Sequence, residues 1–212
     1  MEQSVYIFDL DGTLIDSMPY AVKELEEYLL ERDIEMPPDL IKSVIALGYV
    51  GVAKYYVEHF PLQKTAEQVY EELILRIRRL YEEKVVGKLH VESVLRKLKE
   101  QGKRLNVLTA SPHVFLDPCI KRLGWTELFE NTWTVEDFPV TKADPKIYLL
   151  AAERLGVKPQ DCVMLDDSVN ALRPAKQAGL KAVGVYDEFS SRYEEEMKQI
   201  GDLYIHNFTE LL

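Results

Sequence analysis

Val5-Tyr6-Ile7-Phe8-Asp9-Leu10-Asp11-Gly12-Thr13-Leu14 sets the frame for the whole chain. Four apolar residues run without a break into two carboxylates, a glycine and a threonine. An apolar run of this length, ended by a breaker, reads as a strand buried on both faces, as in the middle of a parallel sheet. Asp9 and Asp11 then fall at its carboxyl end, the edge where open parallel sheets place their ligands. Two acids held that close repel unless something binds them, and a divalent cation offsets the repulsion. Taken alone, the stretch also fits a plain turn with an accidental surface metal site.

Downstream of this strand the pattern is helical for some seventy residues. Ser17 and Pro19 suit a helix start. Val22, Leu25, Tyr28 and Leu29 then recur at helical spacing to about Arg32. Pro37-Pro38-Asp39 interrupts and opens a short second helix. Gly48 and Gly51 bracket an expected loop, and Val52 to Phe60 reads as a third helix stopped by Pro61. Thr65-Ala66-Glu67-Gln68 is a capping box, followed by a long helix carrying Val69, Leu73, Ile77, Leu80 and Val85. No strand pattern falls between Ser17 and Gly87.

Beyond Gly87, helices and strands alternate. Helices are expected at Val91–Gln101, Val114–Leu123, Pro145–Leu155 (capped by Asp144), Asn170–Ala178 and Arg192–Ile200. Strands are expected at Leu105–Thr109, Thr132–Val135, Cys162–Leu165, Lys181–Val185 and Leu203–Ile205. This alternation predicts βαβ units in an α/β fold with a doubly wound, parallel, Rossmann-like sheet. The expected division is a core domain of residues 1–16 and 88–212 and a small, wholly helical domain of residues 17–87.

Composition narrows the classes of function. The chain has 212 residues, 47% hydrophobic and 29% charged, which suits a globular protein rather than a disordered one. A net charge of -10 argues against nucleic acid, whose phosphates need a basic face. A small phosphorylated metabolite stays compatible, since a metal and one lysine reverse the local potential. Apolar runs are too short for a membrane span. Two cysteines, Cys119 and Cys162, make no disulfide framework or metal motif, and no charged-then-apolar leader precedes the first strand. The expected setting is a reducing cytoplasm, for a monomer or weak homodimer.

Four strand ends carry polar groups: Asp9 and Asp11; Thr109-Ala110-Ser111; the loop Thr141-Lys142-Ala143-Asp144-Pro145; and Asp166-Asp167-Ser168. Singly, a strand-ending threonine is more often a turn residue, a loop lysine is usually solvated, and paired acids often cap the next helix. In a parallel sheet all four ends share one edge. Together, hydroxyl, lysine and two acid pairs meet the demands of a metal-assisted phosphoryl site.

On these residues the chain resembles the haloacid dehalogenase-like (HAD) hydrolase superfamily. Asp9-Leu10-Asp11-Gly12-Thr13 resembles its first motif, Thr109 its second, Lys142 its third and Asp166-Asp167-Ser168 its fourth. Lys142-Ala143-Asp144-Pro145-Lys146-Ile147-Tyr148 and Ala175-Lys176-Gln177-Ala178-Gly179 look like the usual surroundings. The helical insert resembles the cap of one class, in the phosphoglycolate phosphatase and beta-phosphoglucomutase-like group.

The resemblance implies roles. Asp9 would be the nucleophile that forms an aspartyl-phosphate. Asp11 would be the general acid for the leaving alkoxide and then the general base for water. Mg²⁺ would be held by Asp9 and Asp167, by the backbone carbonyl of Asp11, and by Asp166 directly or through water. Thr109 and the Ala110 N–H would hold phosphoryl oxygens, Lys142 would neutralise Asp9 and the phosphoryl group, and Thr13 would support the Asp11 loop. The cap would close over the crevice and set the substrate, with Tyr49 in the Gly48–Gly51 loop as the probe.

Within the family, dehalogenases lack the second aspartate, whereas Asp11 is present here. Phosphosugar mutases usually carry valine where Thr13 stands, and use a cap histidine and arginine; Ala21 and Gly51 fall at or near those positions. The departures favour simple hydrolysis of a small phosphomonoester. The alternatives are a phosphosugar mutase and a non-catalytic phosphate-binding module; the latter usually lacks an acid or the lysine.

Overall fold

The structure is a computed structural model that describes residues 2–44 and 47–212. The chain divides into two compact units, one of Met1–Ser17 with Val86–Leu212 and one of Met18–Val85.

The first unit is built on six strands: β1 (Val5–Phe8), β2 (Arg104–Thr109), β3 (Asn131–Thr134), β4 (Cys162–Asp166), β5 (Lys181–Val185) and β6 (Leu203–Ile205). All neighbours pair in parallel, in the order β3-β2-β1-β4-β5-β6. This is the doubly wound α/β sheet predicted from the alternating pattern. β1 lies in the interior, with Val5 level with Arg104 on one side and Cys162 on the other. Its four residues are fully buried, which is why the run is apolar without alternation. The strand order reverses between β1 and β4, the switch point where such sheets bind ligands.

The two faces of β1 enter different cores. Val5 and Ile7 pack with Cys162 and Met164 of β4 and with Ile147, Tyr148, Ala151 and Ala175. Those last residues come from helices α7 (Pro145–Leu155) and α8 (Val169–Gln177), named in chain order. Tyr6 and Phe8 point the other way. The Phe8 ring lies 6.4 Å from both Phe129 and Phe208. α7 starts as its sequence predicts: Asp144 accepts from the Lys146 N–H at 2.9 Å, and Pro145 takes the first turn. α5 (Val91–Glu100), α6 (His113–Arg122) and α9 (Glu194–Ile200) complete this unit's longer helices.

Among the described residues the elements of the second unit are all helical: α1 (Met18–Leu30), α2 (Leu40–Val44), α3 (Gly48–His59) and α4 (Ala66–Glu83). Leu25, Tyr28, Leu29, Leu40, Val52, Tyr56, Val69 and Leu73 form one core. The Thr65–Gln68 capping box is present, with both reciprocal bonds made. One expectation fails here. Gly48-Tyr49-Val50-Gly51 is not a loop but the first turn of α3. Glycine costs about 1 kcal/mol in a helix, and burial of Val52, Ala53 and Tyr56 outweighs it. At Gly51 a Cβ would stand 2.4 Å from Leu47 Cβ, so glycine allows the close turn. The expected second helix is described only as far as Val44, since residues 45 and 46 lie outside the described residues.

Candidate active site

The end of β1 folds into a tight turn. Leu14 and Ile15 N–H groups both donate to the Leu10 carbonyl (2.9 and 3.0 Å), and Gly12 N–H donates to Ile15 O (3.0 Å). Gly12 takes φ +71°, a left-handed conformation that glycine adopts freely. A Cβ there would stand 2.8 Å from Asp167 Cγ, so the glycine also allows this turn to lie against the end of β4. The Asp9 N–H donates to Leu165 O at 2.9 Å, which fixes Asp9 beside Asp166.

Asp9, Asp166 and Lys142 form one buried group. Lys142 Nζ donates to Asp9 Oδ1 at 2.6 Å and stands 2.5 Å from Asp166 Oδ2. The second contact is a close ion pair without a well-directed hydrogen bond. Asp166 Oδ1 accepts from the Ser168 N–H at 2.9 Å. Lys142 is held from behind: the Tyr148 hydroxyl lies 2.9 Å from the Lys142 carbonyl and 3.0 Å from that of Ala171.

Electrostatics follow from this burial. Burial lifts Asp9 to about 7; Lys142 pulls it down, while Asp166 and Asp11 push it up. Asp167 is also raised well above the ordinary carboxylate range, first by burial and then by Asp166, Asp9 and Asp187. For Lys142, burial favours the neutral amine, but Asp166 and Asp9 outweigh it and hold its pKa above the usual value.

Asp9, Asp166 and Asp167 each offer a carboxylate oxygen within 4.8 Å of the others. Three hard oxygen donors against one ammonium suit a small divalent cation and not a soft metal. Burial raises Asp9 and Asp167 first, and the neighbouring acids raise both further. The residues therefore fit Mg²⁺. The Asp11 side chain stands outside this trio. Its Oδ1 accepts from Ser17 Oγ and its Oδ2 from Ser111 Oγ, both at 2.6 Å.

Thr109 ends β2 next to β1, and its Oγ1 accepts from the Ser111 N–H at 3.0 Å. That leaves its hydroxyl proton available. Ala110 follows at an exposed position. Thr13 is buried, and its hydroxyl finds no hydrogen-bond partner among the described residues. The two serines on Asp11 are absent from the sequence reading as partners. Ser17 looks like a helix start and Ser111 like the tail of a motif. The only available signal is position, since Ser17 follows Asp11 and Ser111 follows Thr109, both candidate site residues.

A family model described as haloacid dehalogenase-like hydrolase matches residues 4–179. The chain belongs to the haloacid dehalogenase-like hydrolases. Among relatives of this family member, hexitol phosphatase B of Escherichia coli (strain K12) is 31% identical over 181 residues, covering 84% of this chain and 82% of its own length. A phosphoglycolate phosphatase of Psychrobacter arcticus is 28% identical over 211 residues, covering 94% and 90%. The crystal structure of CbbY from Rhodobacter sphaeroides in complex with phosphate shares the fold. Its TM-score is 0.80 at 24% identity, covering 99% of this chain and 96% of that one. The chain is an enzyme of the haloacid dehalogenase-like family, and these curated relatives are phosphatases.

Proposed function

We propose that this haloacid dehalogenase-like phosphatase is Mg²⁺-dependent and hydrolyses a small phosphomonoester, a sugar phosphate or similar metabolite, through an aspartyl-phosphate on Asp9. The observation that carries the proposal is the Lys142 ammonium 2.6 Å from Asp9 Oδ1, beside the Asp9–Asp166–Asp167 trio.

In the proposed mechanism Asp9 attacks phosphorus with its ionised carboxylate. Lys142 favours that ionised form and offsets charge on the incoming phosphoryl group. The Thr109 hydroxyl and the Ala110 N–H hold phosphoryl oxygens. Asp11 gives a proton to the leaving alkoxide, then takes one from the water that cleaves the aspartyl-phosphate. Ser17 and Ser111 aim its carboxylate by holding both oxygens. Mg²⁺ would be held by Asp9, Asp167, Asp166 and the Asp11 carbonyl, and would supply charge stabilisation to the phosphoryl oxygens.

Residues 17–87 act in this reading as the cap domain that selects the substrate. Support comes from a wholly helical unit placed in the chain directly after the first acid pair. Hydrolysis is favoured over mutase chemistry because Ala21 and Gly51 offer neither an imidazole nor a guanidinium. Relatives named for hexitol phosphate and phosphoglycolate chemistry support a small metabolite as substrate. Both cysteines are free and buried, in keeping with a reducing cytoplasm, and no described helix is long and apolar enough to cross a membrane.

The test is phosphate release from an aryl phosphate, with and without Mg²⁺, for the wild type and Asp9→Asn. Metal-dependent release that vanishes in the variant is the expected result, with a panel of sugar phosphates to follow. Silence of the wild type on every phosphomonoester would remove the proposal, and turnover only after adding a bisphosphosugar would point to a mutase.

A further inference from the structure

Lys88 belongs to no motif, and a lysine in a polar connection is usually solvated. Here its ammonium is engaged three times inside the core unit. It donates to the Gly12 carbonyl and to the Tyr186 carbonyl, the latter at 2.7 Å, and it pairs with Asp187 Oδ2 at 2.9 Å. Its side chain is 19% exposed and that of Asp187 only 5%. Asp187 is oriented in turn, because its Oδ1 accepts from the Phe189 N–H at 3.0 Å. The Lys88 N–H donates to the Leu14 carbonyl at 2.9 Å, at the far end of the turn that follows β1.

One side chain thus ties the Gly12 turn to the segment that follows β5. Gly12 is the pivot of this arrangement. On one side its Cα carbon lies against Asp167, where an added Cβ would be 2.8 Å from the carboxyl carbon. On another its carbonyl is fixed by Lys88. At φ +71° the glycine has wide backbone freedom, so its position depends on such external ties. A carbonyl released from the ammonium would turn toward water by rotating the Gly12–Thr13 peptide, which loosens the turn that lies against Asp167.

We propose that Lys88 is a positioning residue for the cation site: by holding the Gly12 carbonyl, with Asp187 as its anchor, it keeps the turn after β1 seated against Asp167. The inference rests on the reading of Asp9, Asp166 and Asp167 as cation ligands. It assigns Lys88 no contact with substrate.

The test reads binding of Mn²⁺ by electron paramagnetic resonance, independent of turnover, with thermal melts beside it. Lys88→Met leaves Asp187 buried and unpaired, so Lys88→Met/Asp187→Asn removes both charges and carries the comparison. The double variant is expected to melt cooperatively and to bind Mn²⁺ about tenfold more weakly, the usual order for loss of an outer partner of a metal site. Lys88→Arg, which keeps donor and charge, is expected to recover most of the affinity. Wild-type affinity in the double variant would overturn the inference while leaving the proposed function intact. Absence of saturable Mn²⁺ binding in the wild type would take away both.

Discussion

Lys142 Nζ donates to Asp9 Oδ1 over 2.6 Å, joining residues 133 positions apart in the chain. The pair is buried and has Asp166 as a third member. Removing one partner of such a pair leaves an uncompensated charge, which costs about 3–5 kcal/mol. Lys142→Met is therefore expected to lower the urea-unfolding free energy by about 3 kcal/mol. It is also expected to abolish phosphate release. A variant with wild-type stability would show that the pair contributes little to the fold.

If the site acids hold a cation as proposed, its binding is expected to depend on pH. Folding raises Asp9 to about 7 and Asp167 well above its usual range, in both cases mainly through burial. Because the folded values exceed the unfolded ones, the folded state prefers these groups protonated. In chelator-treated protein this contribution is present below about pH 4 and is lost as pH rises towards about 7. A bound cation favours the ionised form, so the gain in melting temperature on adding Mg²⁺ should grow across the same window. A gain equal at pH 5 and pH 7.5 would speak against the assignment of these two acids as ligands.

His113 offers a second pH dependence, away from the acid trio. Its ring lies between Asp117 (3.2 Å) and Asp137 (2.9 Å), and its backbone N–H donates to Glu136 Oε2 at 3.3 Å. Burial lowers its pKa, but the bonds to Asp117 and Asp137 outweigh that and raise it overall. A raised histidine stabilises the fold below its unfolded pKa of about 6.5, and the effect is lost as pH climbs through the folded value. His113→Gln should flatten that part of the stability profile between pH 5.5 and 8, measured by urea melts. An unaltered slope would exclude the two aspartates as its partners in solution.

Two glycines separate backbone strain from crowding. Gly12 and Gly102 take nearly the same φ, +71° and +76°. An added Cβ meets Asp167 at 2.8 Å in the first case and nothing within 4 Å in the second. Both alanine variants should lose about 1–2 kcal/mol from the left-handed backbone. Only Gly12→Ala should also weaken Mn²⁺ binding, since Asp167 must shift. Equal Mn²⁺ affinity in the two variants would show that the Gly12–Asp167 contact is dispensable.

The strands and their polar ends were legible because burial on both faces leaves a plain apolar run, and each run stops at the chemistry-bearing residue. Val5–Phe8 before Asp9 and Cys162–Leu165 before Asp166 are the clearest instances. α7 was equally legible, since Asp144-Pro145 and Gly156 are local signals at its two ends. Gly48–Gly51 misled because local preference favours a loop there, whereas the burial of Val52 and Tyr56 extends the helix backwards. Ser17, Ser111, Tyr148 and Lys88 meet partners brought close only by the folded chain. No local spacing announces that Ser111 reaches Asp11 or that Lys88 reaches Gly12.

The interior place of β1 bears on how the chain must fold as it is made. Both hydrogen-bonding edges of Val-Tyr-Ile-Phe need strands that begin only at Arg104 and Cys162. Until those are synthesised, a short apolar segment with high strand propensity waits unpaired, a hazard for intermolecular pairing. Like charges beside such a segment oppose stacking of identical chains, as gatekeeper residues do. Asp9 and Asp11 stand immediately after it. The two carboxylates therefore stand where gatekeeper charges stand beside an unpaired apolar strand, a place set by the sequence before the sheet exists.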